Sequence, residues 1–160
     1  MADEKLQTLI DRGAVAELML RYGMSIDTKD WAALRSCFAD EMEIDVSETP
    51  FGTGAPRLQM SGDKWLAQIQ RTVMKFAVTQ HMISPYHIEV SGDQAVCVAY
   101  LQARHFPPDC TDEKSVWGLG GYYTNTMVRS PQGWKIRVWK LTETWQENAP
   151  NPADVAPDPA

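Results

Sequence analysis

Cysteine, histidine and uninterrupted apolar runs are all scarce in this sequence. Its 160 residues hold only three cysteines, Cys37, Cys97 and Cys110. An odd count at wide spacing fits a reduced, cytoplasmic compartment better than a disulfide framework. No apolar stretch approaches the roughly 20 residues of a membrane-spanning helix, and Met1-Ala2-Asp3-Glu4 does not read as a secretory signal. Positive charge is also short, with 15 Lys+Arg against 21 Asp+Glu and a formal net charge of -6. Phosphate binding needs a basic surface that releases counterions, so a nucleic-acid role is disfavoured. Metal binding is disfavoured as well, because His, Cys and Asp nowhere cluster at ligand spacing.

What remains suits one domain with room for a core and a ligand cavity: 44% of residues are hydrophobic and 22% charged. Leu6, Leu9, Ile10, Ala14, Leu18 and Tyr22 recur at helical spacing, which predicts a helix over 4–22, interrupted from Gly23 to Lys29. Asp30 caps a short second helix with Trp31, Leu34 and Phe38 on one face. Met42, Ile44 and Val46 alternate with Glu41, Glu43 and Asp45, as in a half-buried strand. Residues 48–60, with two prolines and two glycines, read as a loop that suits either a cover over a cleft or a surface excursion. Ser61 caps a third helix with Trp65 or Leu66, Ile69, Val73 and Phe76 on its apolar face.

Strands follow from residue 78. Val78 to Val90 contains Pro85, so a bulge or an edge position is expected. A one-residue bulge near Ser84-Pro85 would bring Tyr86, Ile88 and Val90 onto the face of His81 and Ile83. From Ala95 to Phe106 one face carries Ala95, Cys97, Ala99, Leu101, Ala103 and His105, small residues that leave room for a ligand. The other, with Val96, Val98 and Tyr100, suits packing against a helix or another subunit. Pro107 to Ser115 is a polar loop, and Trp117–Arg129 and Trp134–Trp145 form two more strands joined by a turn. The tail from Asn148 holds four prolines and is expected to be extended. The domain is therefore 1–147, with a Pro/Ala-rich tail over 148–160. Helices first and strands after them imply an α+β fold, with a curled sheet closing over the helices.

Two of the three histidines, His81 and His105, sit on strand faces that look inward. A buried neutral histidine beside a carboxylate makes a general base, because its pKa lies near the working pH. The carboxylate would be Asp27, although 54 positions separate it from His81. Spacing alone leaves open that Asp27 caps a helix and that His81 is a core histidine. Gly118-Leu119-Gly120-Gly121 mimics a phosphate loop but lies inside a strand, where glycines allow close backbone approach. Cys97 reads as core and Cys110 as a loop thiol. Trp117, Trp139 and Trp145, near strand ends, would line a pocket that accepts aromatic ligands.

The set Arg21-Tyr22, Asp27, Asp30-Trp31, Thr79-Gln80-His81-Met82, Gly120-Gly121-Tyr122-Tyr123-Thr124 and Gly133-Trp134 resembles the SnoaL-like branch of the nuclear transport factor 2-like superfamily. The resemblance spans roughly residues 5 to 147. That superfamily includes scytalone dehydratase, bile-acid 7α-dehydratase, hexachlorocyclohexane dehydrochlorinase, ketosteroid isomerase and polyketide cyclases. The resemblance implies a cone: a curved antiparallel (mixed) sheet whose mouth is closed by three N-terminal helices around an apolar pocket. It implies Asp27 and His81 as the proton-transfer dyad. Tyr22 matches a tyrosine of the bile-acid enzyme, and His105 a second histidine of scytalone dehydratase. Tyr123, Asn125 and Trp145 are further substrate-binding candidates. Two departures count: a further aspartate of the bile-acid enzyme falls near Ala103 or Arg104 here, and ketosteroid isomerase has carboxylates where this chain has histidine.

The implied activity is that of a lyase without cofactor or metal. It would carry out dehydratase-type elimination or deformylation of a hydrophobic, aromatic or polycyclic hydroxylated small molecule, with Tyr22 or His105 assisting the leaving group. The alternatives are an isomerase or cyclase of a polycyclic ketone, or a non-catalytic ligand-binding or assembly module. A homo-oligomer, dimer or trimer, is expected, without nucleic acid or membrane as partner.

Overall fold

Three helices pack against one curved six-stranded sheet. The computed structural model describes residues 2–50, 52 and 54–151. Helix α1 is Ala2–Asp27 and α2 is Trp31–Ser36; strands β1, Phe38–Glu48, and β2, Leu58–Ser61, follow. Helix α3 is Gly62–Val73, and the strands β3 (Val78–Ser91), β4 (Gln94–Phe106), β5 (Trp117–Ser130) and β6 (Gly133–Glu147) complete the order. A short 3-10 turn, Glu113–Ser115, precedes β5. The tail expected over 148–160 lies almost wholly outside the described residues.

Two boundaries differ from the sequence reading. Helix α1 does not stop at Tyr22 but continues through Gly23 to Asp27. Tertiary packing overrides glycine's weak propensity here. Tyr22 and Ile26 are both buried, and a Cβ on Gly23 would come within 2.9 Å of Ile83 Cδ1. The bare backbone therefore lies close upon β3. Lys29, at φ 56, then turns the chain out of the helix. The second difference is that the 48–60 segment is not all loop. Leu58 to Ser61 pairs antiparallel with Glu41 to Ile44, because Met60 buries its side chain against the core. The caps agree with expectation: Asp30 accepts from the Ala33 N–H at 3.0 Å and Ser61 from the Lys64 N–H at 3.1 Å.

The sheet runs β2-β1-β6-β5-β4-β3. Strands β3 to β6 form the expected antiparallel run, and β1 joins β6 in parallel, which makes the sheet mixed. Register shifts at Pro85/His87, Gly120/Gly121 and Thr126/Met127 increase its curl. The first returns Ile88 and Val90 to the face of His81 and Ile83, opposite Cys97, Ala95, Ala103 and Leu101; the Tyr86 side chain lies outside the described residues. Helix α1 is pinned to the far end of the sheet by Asp11, which accepts two bonds of 2.8 Å from Arg129 and one of 3.2 Å from the Trp134 indole.

Candidate active site

The site begins with two neighbours of unequal sequence distance, the last residue of α1 and the fourth of β3. Strand β3 is an edge strand, so backbone N–H groups on its outer side lack a ladder partner. The Asp27 carboxylate takes one of them. Its Oδ2 accepts from the His81 backbone N–H at 2.7 Å, while Oδ1 accepts from the Thr79 hydroxyl at 2.9 Å and meets His81 Nδ1 at 2.7 Å. The His81 side chain is 8% exposed and that of Asp27 19%. Burial pulls the Asp27 carboxyl upward, but the His81 ring, its backbone N–H and Thr79 together hold it below its ordinary value. A nitrogen facing a carboxylate carries the proton, so Nδ1 donates and Nε2 is left as an acceptor.

His105 lies one register step away, since Thr79 pairs with His105 and His81 with Ala103. The two imidazoles meet edge-on at 5.4 Å, and His105 stacks on Trp117 at 4.3 Å. Its Nδ1 is turned to the Trp117 carbonyl at 3.4 Å and donates to it. Burial, reinforced by the neighbouring His81, pushes His105 down to about 3. It is neutral at physiological pH, with its one proton already committed. His105 thus reaches the cavity as a neutral ring whose Nδ1 is turned away to the Trp117 carbonyl.

Tyr22 faces the pair from α1. Its hydroxyl oxygen accepts from the Trp139 indole N–H at 3.0 Å and from the Tyr123 phenol. Both lone pairs are then occupied, and the Tyr22 proton is left to donate elsewhere. Burial pushes Tyr22 up to about 12 and Tyr123 well above its ordinary value. Tyr22 therefore stays un-ionised.

These groups share a cavity of about 120 Å³ that opens to solvent. Tyr22, His81, His105 and Tyr123 line it together with Trp65, Trp117, Trp139 and aliphatic side chains of α1, α3, β5 and β6. Two sequence candidates lie elsewhere. Asn125 is fully buried, but its amide oxygen accepts from the Lys140 N–H at 3.0 Å and its nitrogen contacts Met19 sulfur at 3.5 Å. It bridges a gap in the β5–β6 ladder and does not line the cavity. Trp145 is 42% exposed and lies over Gly120 on the convex side, where a Cβ would meet its Nε1 at 2.2 Å. Simple alternation from Trp139 and Leu141 would turn it inward; the register shift at Gly120/Gly121 turns it out.

Sequence reasoning missed Thr79 as an Asp27 partner, although its parity with His81 was available. It also missed the Trp139-to-Tyr22 bond, which no local pattern carries. Among the described residues no group of three His, Cys, Asp or Glu could hold a metal ion.

Fold and site together define an α+β cone with a carboxylate–imidazole pair inside. The chain belongs to the SnoaL-like domain family, whose model matches residues 7–140. The Kfla4162 protein from Kribbella flavida is 30% identical, with 87% of this chain and 94% of that one covered, at a TM-score of 0.76. A type 2 hexachlorocyclohexane dehydrochlorinase (LinA) shares the fold at 17% identity, with 89% and 90% covered and a TM-score of 0.72. An uncharacterised protein of Mycobacterium tuberculosis is 27% identical over 128 residues, which is 79% of this chain and 80% of that protein.

Proposed function

We propose that this protein is a cofactor-independent lyase in which His81 is the general base, Asp27 its orienting carboxylate and Tyr22 the donor to the substrate oxygen. The observation that carries the reading is the single carboxylate that grips both the ring and the backbone of His81 at 2.7 Å. That grip fixes the tautomer and leaves Nε2 as the proton acceptor. In the elimination, Nε2 takes a proton from the carbon beside a carbonyl, and the C–H electron pair becomes the new double bond. The carbon–oxygen bond of the departing hydroxyl breaks, and the imidazolium returns its proton to it as water. Asp27 stabilises the imidazolium while it exists, and Tyr22 bonds the carbonyl oxygen as negative charge develops.

The substrate class is a hydrophobic aromatic or polycyclic compound bearing a hydroxyl, in keeping with the aromatic wall. Deformylation of a hydroxymethyl-bearing substrate uses the same base, which then takes the hydroxyl proton. Isomerisation of a polycyclic ketone needs only that the imidazolium return its proton to a second carbon. The shared fold with a protein named as a dehydrochlorinase supports elimination. A cavity left unfilled by side chains favours this over the non-catalytic module. The homo-oligomer forms through the convex face of the sheet, and three unpaired cysteines fit a cytoplasmic setting.

Turnover of a panel of bicyclic β-hydroxy ketones by wild type, His81→Ala and Asp27→Asn tests the reading. His81→Ala is expected to lower kcat roughly 10²- to 10⁴-fold with folding intact. Near-wild-type turnover by His81→Ala would remove the dyad and leave the binding module.

A further inference from the structure

Two buried donors in the cavity wall have no acceptor. Trp65, on α3, and Trp117, at the start of β5, both line the cavity and are each 6% exposed. Neither indole N–H has a hydrogen-bond partner. Elsewhere the chain satisfies such groups: the Trp134 indole donates to Asp11 and the Trp139 indole to Tyr22. Buried donors are paired in the great majority of cases, so two orphans in one cavity wall require an explanation.

Their positions are not arbitrary. Trp65 packs against Trp139 at 5.0 Å, and Trp139 holds Tyr22. Trp117 stacks on His105 at 4.3 Å, and His105 meets His81 at 5.4 Å. Each orphan indole thus begins a row of rings that ends at a group able to exchange a proton or hydrogen bond with substrate. Several polar groups near the reacting position are already committed: the Asp27 carboxylate to His81, the Tyr123 phenol to Tyr22, the His105 proton to Trp117.

We propose that the Trp65 and Trp117 indole N–H groups are substrate-reading donors, which favour a ring-bearing ligand with acceptor oxygens on its periphery over one without them. Carbonyl, ether and phenolic oxygens all present the lone pair that an indole N–H requires, whereas a bare hydrocarbon leaves both donors unmet. A substrate lacking those oxygens keeps its contacts with the rings but forfeits the two hydrogen bonds, so the pair selects oxygenated over plain polycycles. This assignment rests on the lyase reading only for which cavity is the active one. It concerns binding and involves no bond made or broken.

The test uses three probes of one skeleton: 6-methoxy-1-tetralone with two acceptor oxygens, 1-tetralone with one, and tetralin with none. Isothermal titration on wild type, Trp65→Phe and Trp117→Phe gives the affinities, and ¹H–¹⁵N NMR of the wild-type indoles follows each N–H directly. Each phenylalanine variant also assigns the signal that it deletes. The expected result is a downfield shift of both indole protons with 6-methoxy-1-tetralone and not with tetralin. Each variant should lose roughly 3- to 10-fold in affinity for the methoxy ketone while its tetralin affinity changes little. Loss of both probes alike would mean that the rings pack and the N–H groups read nothing. That outcome, indole shifts equal for the two probes, or no binding of 6-methoxy-1-tetralone to wild type overturns the proposal. Because the indole shifts need no turnover, their outcome is independent of whether His81 proves to be a base.

Discussion

His81 and His105 stand 5.4 Å apart in one cavity, and their partners decide what each can do. A carboxylate beside an imidazole favours the cation that forms on proton abstraction, whereas a peptide carbonyl and a stacked indole offer His105 no comparable charge. A pH effect follows. In the unfolded chain His105 takes up a proton as pH falls through 6.5, but in the folded protein it resists until about 3. Its contribution to stability is complete above 6.5 and is lost progressively as pH drops toward 3. His105→Phe keeps a ring against Trp117 and should flatten the fall in urea midpoint between pH 6.5 and 4.5. An unchanged slope would contradict the buried, neutral assignment. Under the proposed dyad, the double variant Asp27→Asn/His81→Ala should be little slower than either single one in kcat; multiplied losses would separate the two residues. At this scale the sequence revealed little by itself. Asp27 and His81 come together only through the helix-on-strand contact at Gly23 and Ile83, which no spacing rule encodes; the resemblance supplied the pairing. The outward turn of Trp145 was not legible, because the register shift at Gly120/Gly121 is invisible in a strictly alternating pattern.

Among the elements, α1 carries the most consequence, because Asp27 sits at its end. Gly23 sets how near the helix lies to β3, and Asp11, in its first half, ties it to the β5–β6 hairpin. Arg129 grips Asp11 with two bonds and lies over the Trp134 ring at 4.4 Å. Those bonds hold the Asp11 carboxyl at about 2, against an ordinary 3.8. The lowered value means that the latch is fully formed above 3.8 and is lost as pH falls toward 2. Arg129→Ala should cost about 1–2 kcal/mol at neutral pH, a figure reduced for the partial exposure of the arginine. It should also weaken the acid-induced loss of stability in that interval. Guanidinium unfolding at pH 7 and pH 3 checks both; a variant as stable as wild type at neutral pH would dismiss the latch. The cap residues Asp30 and Ser61 were legible because capping is a local matter. The run of helix through Gly23 was not, since it depends on β3, sixty residues further along.

At the scale of the molecule, helices first and strands after already implied the α+β architecture, and alternation in β4 correctly divided inner from outer face. The parallel pairing of β1 with β6 was not legible, because nothing in either strand names its partner. The outer face leaves Met82 63%, Tyr100 60%, Trp145 42% and Val96 37% exposed, an apolar surface that a second copy would cover. Sedimentation should show a dimer or trimer at micromolar concentration, and Tyr100→Glu should shift it toward monomer. A monomeric wild type would contradict the expectation.

In the proposed mechanism His81 presents a base to a ligand carbon in the cavity. Proton exchange tests it most directly, without requiring the natural substrate. With 6-methoxy-1-tetralone in D₂O at neutral pH, ¹H NMR follows loss of the hydrogens on the carbon beside the carbonyl. Wild type should accelerate their exchange well beyond buffer, and His81→Ala should lose roughly 10²- to 10⁴-fold of that acceleration. Asp27→Asn should lose nearly as much. Exchange as fast with His81→Ala as with wild type, or no faster with wild type than in buffer, would contradict the account.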